Sequence, residues 1–185
     1  MTAADMQYVI NGFSAAAKRA AVAGCAPCPA LPSFALTKEK FLVDFIEIHG
    51  AHGFLIHSFL SPLSNTRSDE YGGQSFANRI RFPLRVVAAV REAWGDRPLF
   101  VRLSATDWVE GPEKDSEGSW LQWGVEQTIL LTKELKKLGV DLIDVSSGGN
   151  WSAQKVLVGP GYQVGCSSLL EESNAFAFRC RLQKQ

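Results

Sequence analysis

The chain has no apolar stretch approaching the ~20 residues that cross a bilayer, and it has no basic block. Lys+Arg and Asp+Glu balance at 19 each, so the electrostatic footprint of a nucleic-acid or membrane-surface protein is missing. The N-terminus, Met1-Thr2-Ala3-Ala4-Asp5, lacks the charged and then apolar pattern of a signal peptide, and a soluble cytoplasmic protein is the expectation. Of the four cysteines, Cys25 and Cys28 have CxxC spacing, but Cys166 and Cys180 do not form a second such pair. A lone CxxC without a clear preceding strand reads as structural or incidental rather than as a zinc or redox site. What is present is a 46% hydrophobic chain of 185 residues, enough for one domain with a core.

The periodicity sets out helices and strands in alternation. Met6, Val9, Ile10, Phe13, Ala17 and Ala20 share one face of a helix over about 5–23, with Thr2 and Asp5 as a capping pair and Gly24 as the stop. Three prolines within Cys25 to Lys40 suggest an inserted connection. The apolar run Phe41 to Ile46 reads as a buried strand ending in Ile48-His49-Gly50-Ala51-His52-Gly53-Phe54. Further strands are expected at Leu99 to Ala105 and Asp141 to Ser147, with helices over about 76–94 and 125–138 between them. Ser75 caps the first of these helices, Gly95 and Gly139 stop them, and Pro83 should kink the first or reset its start. Beyond Val164 the periodicity fades; Leu169 to Gln185 could form one short helix, without a strand signal. Repeated βα units imply an α/β fold with a parallel sheet and right-handed crossovers.

Each strand carries polar groups near its C-terminal end: His49 and His52, then Arg102 and Ser104, then Ser146 and Ser147. In a (β/α) barrel such ends converge on one face. Three positions apart, His49 and His52 fall on opposite faces of a continuing strand, so a turn must follow, with Gly50 and Gly53 permitting it. Two neutral imidazoles can donate paired hydrogen bonds to one anionic or carbonyl oxygen and polarise it; satisfied loop histidines are the plainer reading. With His57 they could instead ligate zinc in a small hydrolase, although no carboxylate has the usual spacing. Arg102 lies in an apolar strand and needs a partner. That partner is either an anion or cofactor, or a carboxylate such as Asp144 or Asp107. The long connection Phe54 to Ser75 suits a site-building loop or a charged surface loop.

A set of motifs gives these residues a context. Glu47-Ile48-His49-Gly50-Ala51-His52-Gly53-Phe54-Leu55, Phe59-Leu60-Ser61-Pro62, Asn65-Thr66-Arg67-Ser68-Asp69-Glu70-Tyr71-Gly72-Gly73 and Asn78-Arg79-Ile80-Arg81-Phe82 occur in order. Phe100 to Trp108 and Asp141 to Gly149 follow. Together they closely resemble the Old Yellow Enzyme family of FMN-dependent NAD(P)H oxidoreductases, in its His-x-x-His branch. The resemblance covers most of residues 5–24 and 43–164. It implies a partial TIM (β/α)8 barrel: about three central βα units (family strands four to six), preceded by a helix. Residues 1–164 would form this domain, with an insertion at about 25–40, and 165–185 a divergent tail.

By the same resemblance, His49 and His52 bind the carbonyl or nitro oxygen of an activated alkene, and Arg102 contacts the flavin ring near N1 and O2. FMN is the implied cofactor and NAD(P)H the reductant; no metal is implied. Phe54 stands where the family usually has the tyrosine that protonates the α-carbon, so no catalytic proton donor is assigned and impaired ene-reductase activity is expected. The early strands, strands seven and eight, and the phosphate site they carry do not match any part of the chain. The alternative is therefore a truncated, non-catalytic barrel fragment that does not bind FMN by itself and self-associates through open sheet edges.

Overall fold

Alternating strands and helices build a half-barrel whose sheet, among the described residues, is covered by helices on one side only. The structure, a computed structural model, describes residues 1–23, 43–73, 75–156, 159–172 and 177–180; the CxxC pair and the inserted connection at 25–40 lie outside them. The elements are α1 (Ala3–Ala23), β1 (Ile46–Gly50), α2 (Leu55–Leu60), α3 (Phe76–Trp94), β2 (Leu99–Ser104), α4 (Val125–Lys137), β3 (Leu142–Ser146), α5 (Val164–Glu172) and β4 (Ala177–Cys180). The four strands form one sheet in the order β1-β2-β3-β4, and every pair is parallel. Among the described residues no helix is long and apolar enough to cross a membrane.

Local signals place the helices. The Thr2 and Asp5 pair forms a reciprocal cap on α1: Thr2 N–H donates to Asp5 Oδ2 at 2.7 Å and Asp5 N–H to Thr2 Oγ1 at 3.2 Å. Ser75 Oγ accepts from Asn78 N–H at 3.3 Å to cap α3. Gly95 (φ 74°) and Gly139 (φ 77°) take the left-handed conformation that ends α3 and α4. The expected restart at Pro83 does not occur, because α3 runs through it.

Three further expectations need correction. β1 begins only at Ile46, so residues 43–45 of the expected apolar run precede the strand, while His49 lies near its C-terminal end as expected. The connection after Phe54 carries the one-and-a-half-turn helix α2, and Asn65 Nδ2 ties its loop inward by donating to Phe59 O at 2.7 Å and Tyr71 O at 2.8 Å. The tail beyond Val164 does hold a strand: β4 pairs with β3 in the register Asp144↔Arg179. Its hydrogen bonds come from a neighbour placed by tertiary folding, which a four-residue segment does not announce.

Alternation sorts the strand residues to two faces. Ile48, Leu99, Val101, Leu103, Ile143 and Val145 point to the helix layer and are buried. There they join Met6 and Ile10 of α1, Val86, Val87, Val90 and Trp94 of α3, Leu131 and Leu135 of α4 and Leu170 of α5 in one core. Each such side chain contributes roughly 1.5–3 kcal/mol by leaving water. The opposite face bears the register row His49↔Arg102↔Asp144. Among the described residues no helix covers it, and Phe45, stacked at 4.6 Å on Phe100, remains 46% exposed there.

Candidate functional site

At the C-terminal ends of the strands, the turn after β1 meets the loop after β3. His52 itself adopts φ 58°, followed by Gly53 at φ 74°. An imidazole-bearing residue in the left-handed region is uncommon and locally strained. Gly50, expected to supply the turn, is instead the last residue of β1; a Cβ there would lie 3.0 Å from Arg102 O, so its role is close packing. Two serines hold the turn in place. Ser104 Oγ accepts from His52 N–H at 3.0 Å and donates to Gly148 O at 2.8 Å. Ser146 Oγ lies 2.5 Å from His52 Nε2.

The hydrogen-bond pattern assigns the ring protons. Ala51 N–H donates to His49 Nδ1 at 3.3 Å, which puts the His49 proton on Nε2. Ser146 Oγ receives two long contacts, from Arg102 Nη2 and Gln163 Nε2, each at 3.4 Å. Its own hydroxyl proton is then directed to His52 Nε2, leaving a proton on His52 Nδ1. The two rings lie edge to face with centroids 5.2 Å apart. Burial, with the positive charge of Arg102 and the neighbouring His49, holds the His52 imidazole below the usual histidine range. The neutral donor form is thereby favoured at neutral pH.

Of the alternatives for Arg102, the structure shows the ion pair. Its Nε is 3.5 Å from Asp144 Oδ2, so the ion pair with Asp144 is realised, whereas Asp107 is engaged elsewhere. Asp144 is 1% exposed but the guanidinium is 20% exposed. The cation therefore still faces the uncovered side of the sheet beside the two histidines.

His57 is not a third metal ligand: it is fully buried, Gly53 N–H donates to its Nδ1 at 2.9 Å, and its Nε2 faces Asp107 Oδ1 at 3.0 Å rather than the other two histidines. Phe54, 63% exposed, places its ring edge-on to His49 with centroids 5.2 Å apart. The sequence reading thus brought together His49, His52, Phe54, Arg102, Ser104 and Ser146. It missed Gln163, Gly149 and the Asp107–His57 contact, whose members are far apart in the chain; only the burial of polar residue types in a motif-rich loop hinted at the last.

Gly53 is fixed by space as well as by φ: a Cβ there would lie 2.1 Å from Gly149 O. Gly53→Ala is expected to destabilise the chain by about 2–3 kcal/mol, combining left-handed strain with a backbone collision. Urea unfolding measures it; a loss under about 0.5 kcal/mol, the size of an ordinary surface substitution, would contradict the contact.

A parallel βα sheet with its polar side chains gathered at the strand C-termini defines part of a (β/α)8 barrel. The chain belongs to the NADH:flavin oxidoreductase / NADH oxidase family, whose model matches residues 36–164. An NADH:flavin oxidoreductase of Gibberella zeae is 44% identical over 175 residues, 93% of this chain and 38% of that protein. An NADPH dehydrogenase of Geobacillus sp. (strain WCH70) is 47% identical over 164 residues, 89% of this chain and 39% of that protein. Among solved structures, morphinone reductase in complex with tetrahydroNAD superposes with a TM-score of 0.66 at 22% identity, covering 100% of this chain and 41% of that one; this likeness concerns the fold alone. The chain spans about two fifths of the length of the curated relatives it matches.

Proposed function

We propose that this chain supplies the substrate-binding half of an FMN-dependent NAD(P)H oxidoreductase of the Old Yellow Enzyme type, acting on activated alkenes. The observation that carries the reading is the pair of imidazoles at 5.2 Å, on the uncovered sheet face next to the Arg102 guanidinium. The residues present fit the ring of FMN. A partly exposed cation on an otherwise uncovered face suits the electron-rich edge of a flavin, and Asp144 offsets only part of its charge.

Arg102 would hold the flavin ring of FMN, and the cofactor would supply the hydride-transfer chemistry between NAD(P)H and the alkene. The chain's residues orient and polarise. His49 Nε2–H and His52 Nδ1–H donate two hydrogen bonds to the carbonyl or nitro oxygen, drawing electron density from the β-carbon. Arg102 supplies a fixed positive charge. Phe54 stands edge-on to His49 but has no proton to give, so the α-carbon takes its proton from solvent and turnover is slow. The domain boundaries proposed for this reading are 1–164 for the barrel portion and 165–185 for the divergent tail.

A second reading has its own support. One face of the sheet is uncovered, and β1 and β4 each pair on one side only among the described residues. Such edges favour self-association over cofactor binding. Titrating the purified full chain with FMN separates the two. A bound-flavin absorption band with quenched fluorescence is expected from the first. Unchanged flavin spectra at high protein concentration, with the chain eluting as an oligomer, would establish the second.

A further inference from the structure

The most heavily buried titratable groups in the site region take no part in the function proposed above. His57 and Asp107 are each 0% exposed, with Nε2 and Oδ1 3.0 Å apart. Asp107 Oδ2 also accepts from Ser61 Oγ–H at 2.6 Å and from Trp123 N–H at 3.1 Å. Asp107 N–H donates to Trp123 O at 2.9 Å. One carboxylate therefore gathers the end of α2, the loop after β2 and the approach to α4. Through His57 it reaches the turn after β1, where Gly53 N–H donates to Nδ1 at 2.9 Å.

We propose that His57 and Asp107 are positioning residues, a buried imidazole–carboxylate lock that fixes the left-handed His52–Gly53 turn and thereby aims the His52 ring. The functional meaning of the lock rests on the reading of His52 as a substrate clamp. The lock itself is a property of the chain without flavin or substrate.

The chemistry is directional. Gly53 N–H donates to Nδ1, so the ring proton belongs to His57 Nε2, which lies within ion-pair distance of Asp107 Oδ1 at 3.0 Å. That leaves Nδ1 as a bare acceptor for Gly53 N–H, at the residue following the strained His52. Were Nδ1 protonated, it would face the Gly53 N–H donor to donor, and the turn would lose the bond that holds it. Asp107 thus sets the ring tautomer, and the tautomer sets the turn. The closeness of the Gly149 backbone to both His52 and Gly53 leaves the turn little room to compensate.

Asp107→Asn is the sharpest test, because it keeps size and shape. Trp123 N–H and Ser61 Oγ–H need the acceptor oxygen, so the new amide N–H₂ faces His57 Nε2. The imidazole proton must move to Nδ1, against Gly53 N–H. In ligand-free full chain, nitrogen-15 NMR of the imidazoles is expected to show that move. Gly53 amide exchange should accelerate about tenfold, the typical worth of one hydrogen bond. The His52 titration midpoint should rise toward the ordinary histidine value as the ring regains water, its other charged neighbours Arg102, His49 and Asp144 being unaltered. A folded Asp107→Asn chain with the wild-type Gly53 exchange rate and His52 midpoint would overturn the proposal.

If that variant does not fold, His57→Asn and His57→Gln decide the matter. The shorter amide retains an acceptor for Gly53 N–H, while the longer one retains a donor for Asp107. Both variants remove His57 from beside His52, so the lock requires His57→Gln to raise the His52 midpoint further than His57→Asn does, whatever their stabilities; equal midpoints would refute it. Should neither fold, the wild-type spectrum alone decides: a His57 proton on Nε2 supports the lock and one on Nδ1 excludes it. Failure of the chain to bind FMN would leave all of these results unchanged.

Discussion

Phe54→Tyr is expected to raise the rate of alkene reduction by the FMN-loaded chain about 10²–10⁴-fold, the usual contribution of a positioned general acid. The rate of flavin reduction by NADPH should stay the same, because that half-reaction consumes no proton at this position. The geometry favours the outcome: Phe54 is 63% exposed, so a hydroxyl added at its tip meets no buried surface, and its ring already stands edge-on to His49. Stopped-flow measurement of the two half-reactions separates the steps. Equal rates of alkene reduction in the two chains would refute the claim that the missing hydroxyl limits turnover.

Arg79→Met should unfold more readily than the wild type by about 3–5 kcal/mol. Arg79 is 0% exposed. Its Nε donates to Leu60 O at 2.8 Å and its Nη1 to Gly73 O at 3.2 Å, and Nη2 meets Gln127 Oε1. One side chain thus fastens the end of α2, the loop before α3 and the first turn of α4. Burial pushes its guanidinium down to about 10, still far enough above neutrality for the charge to persist. Methionine preserves much of the volume but leaves buried carbonyls without their donors, each costing about 1–3 kcal/mol. Urea denaturation provides the measurement, with the midpoint falling at constant m-value. A loss below about 1 kcal/mol would show that water replaces the guanidinium.

Much of the architecture is legible in the sequence because it is written locally. The α1 cap needs only Thr2 and Asp5, and the α3 boundaries need only Ser75 and Gly95. Strands β2 and β3 match their apolar runs to within a residue at each end. β1 shifts toward His49 because its pairing with β2, not its hydrophobicity, sets its length. Helix α2 is too short to display a period, and β4 exists through its partner β3. The site shows the same division. Residue type and strand position singled out His49, His52 and Arg102. Nothing local, however, reveals that Ser146 turns the His52 ring or that Asp107 reaches His57, since both partners arrive from other βα units.

The Gly53–Gly149 contact has a consequence for how this region moves and which side chains it admits. Positions 53 and 149 mesh like gear teeth: a Cβ on the first would strike the Gly149 carbonyl at 2.1 Å, and one on the second would strike His52 Cα at 2.4 Å. No side chain lies between to act as a cushion. The turn that carries His52 and the loop that follows β3 therefore travel as one rigid body, and a ligand that displaces either displaces both. Each position is closed to a side chain by the backbone of the other βα unit, whatever residue stands there.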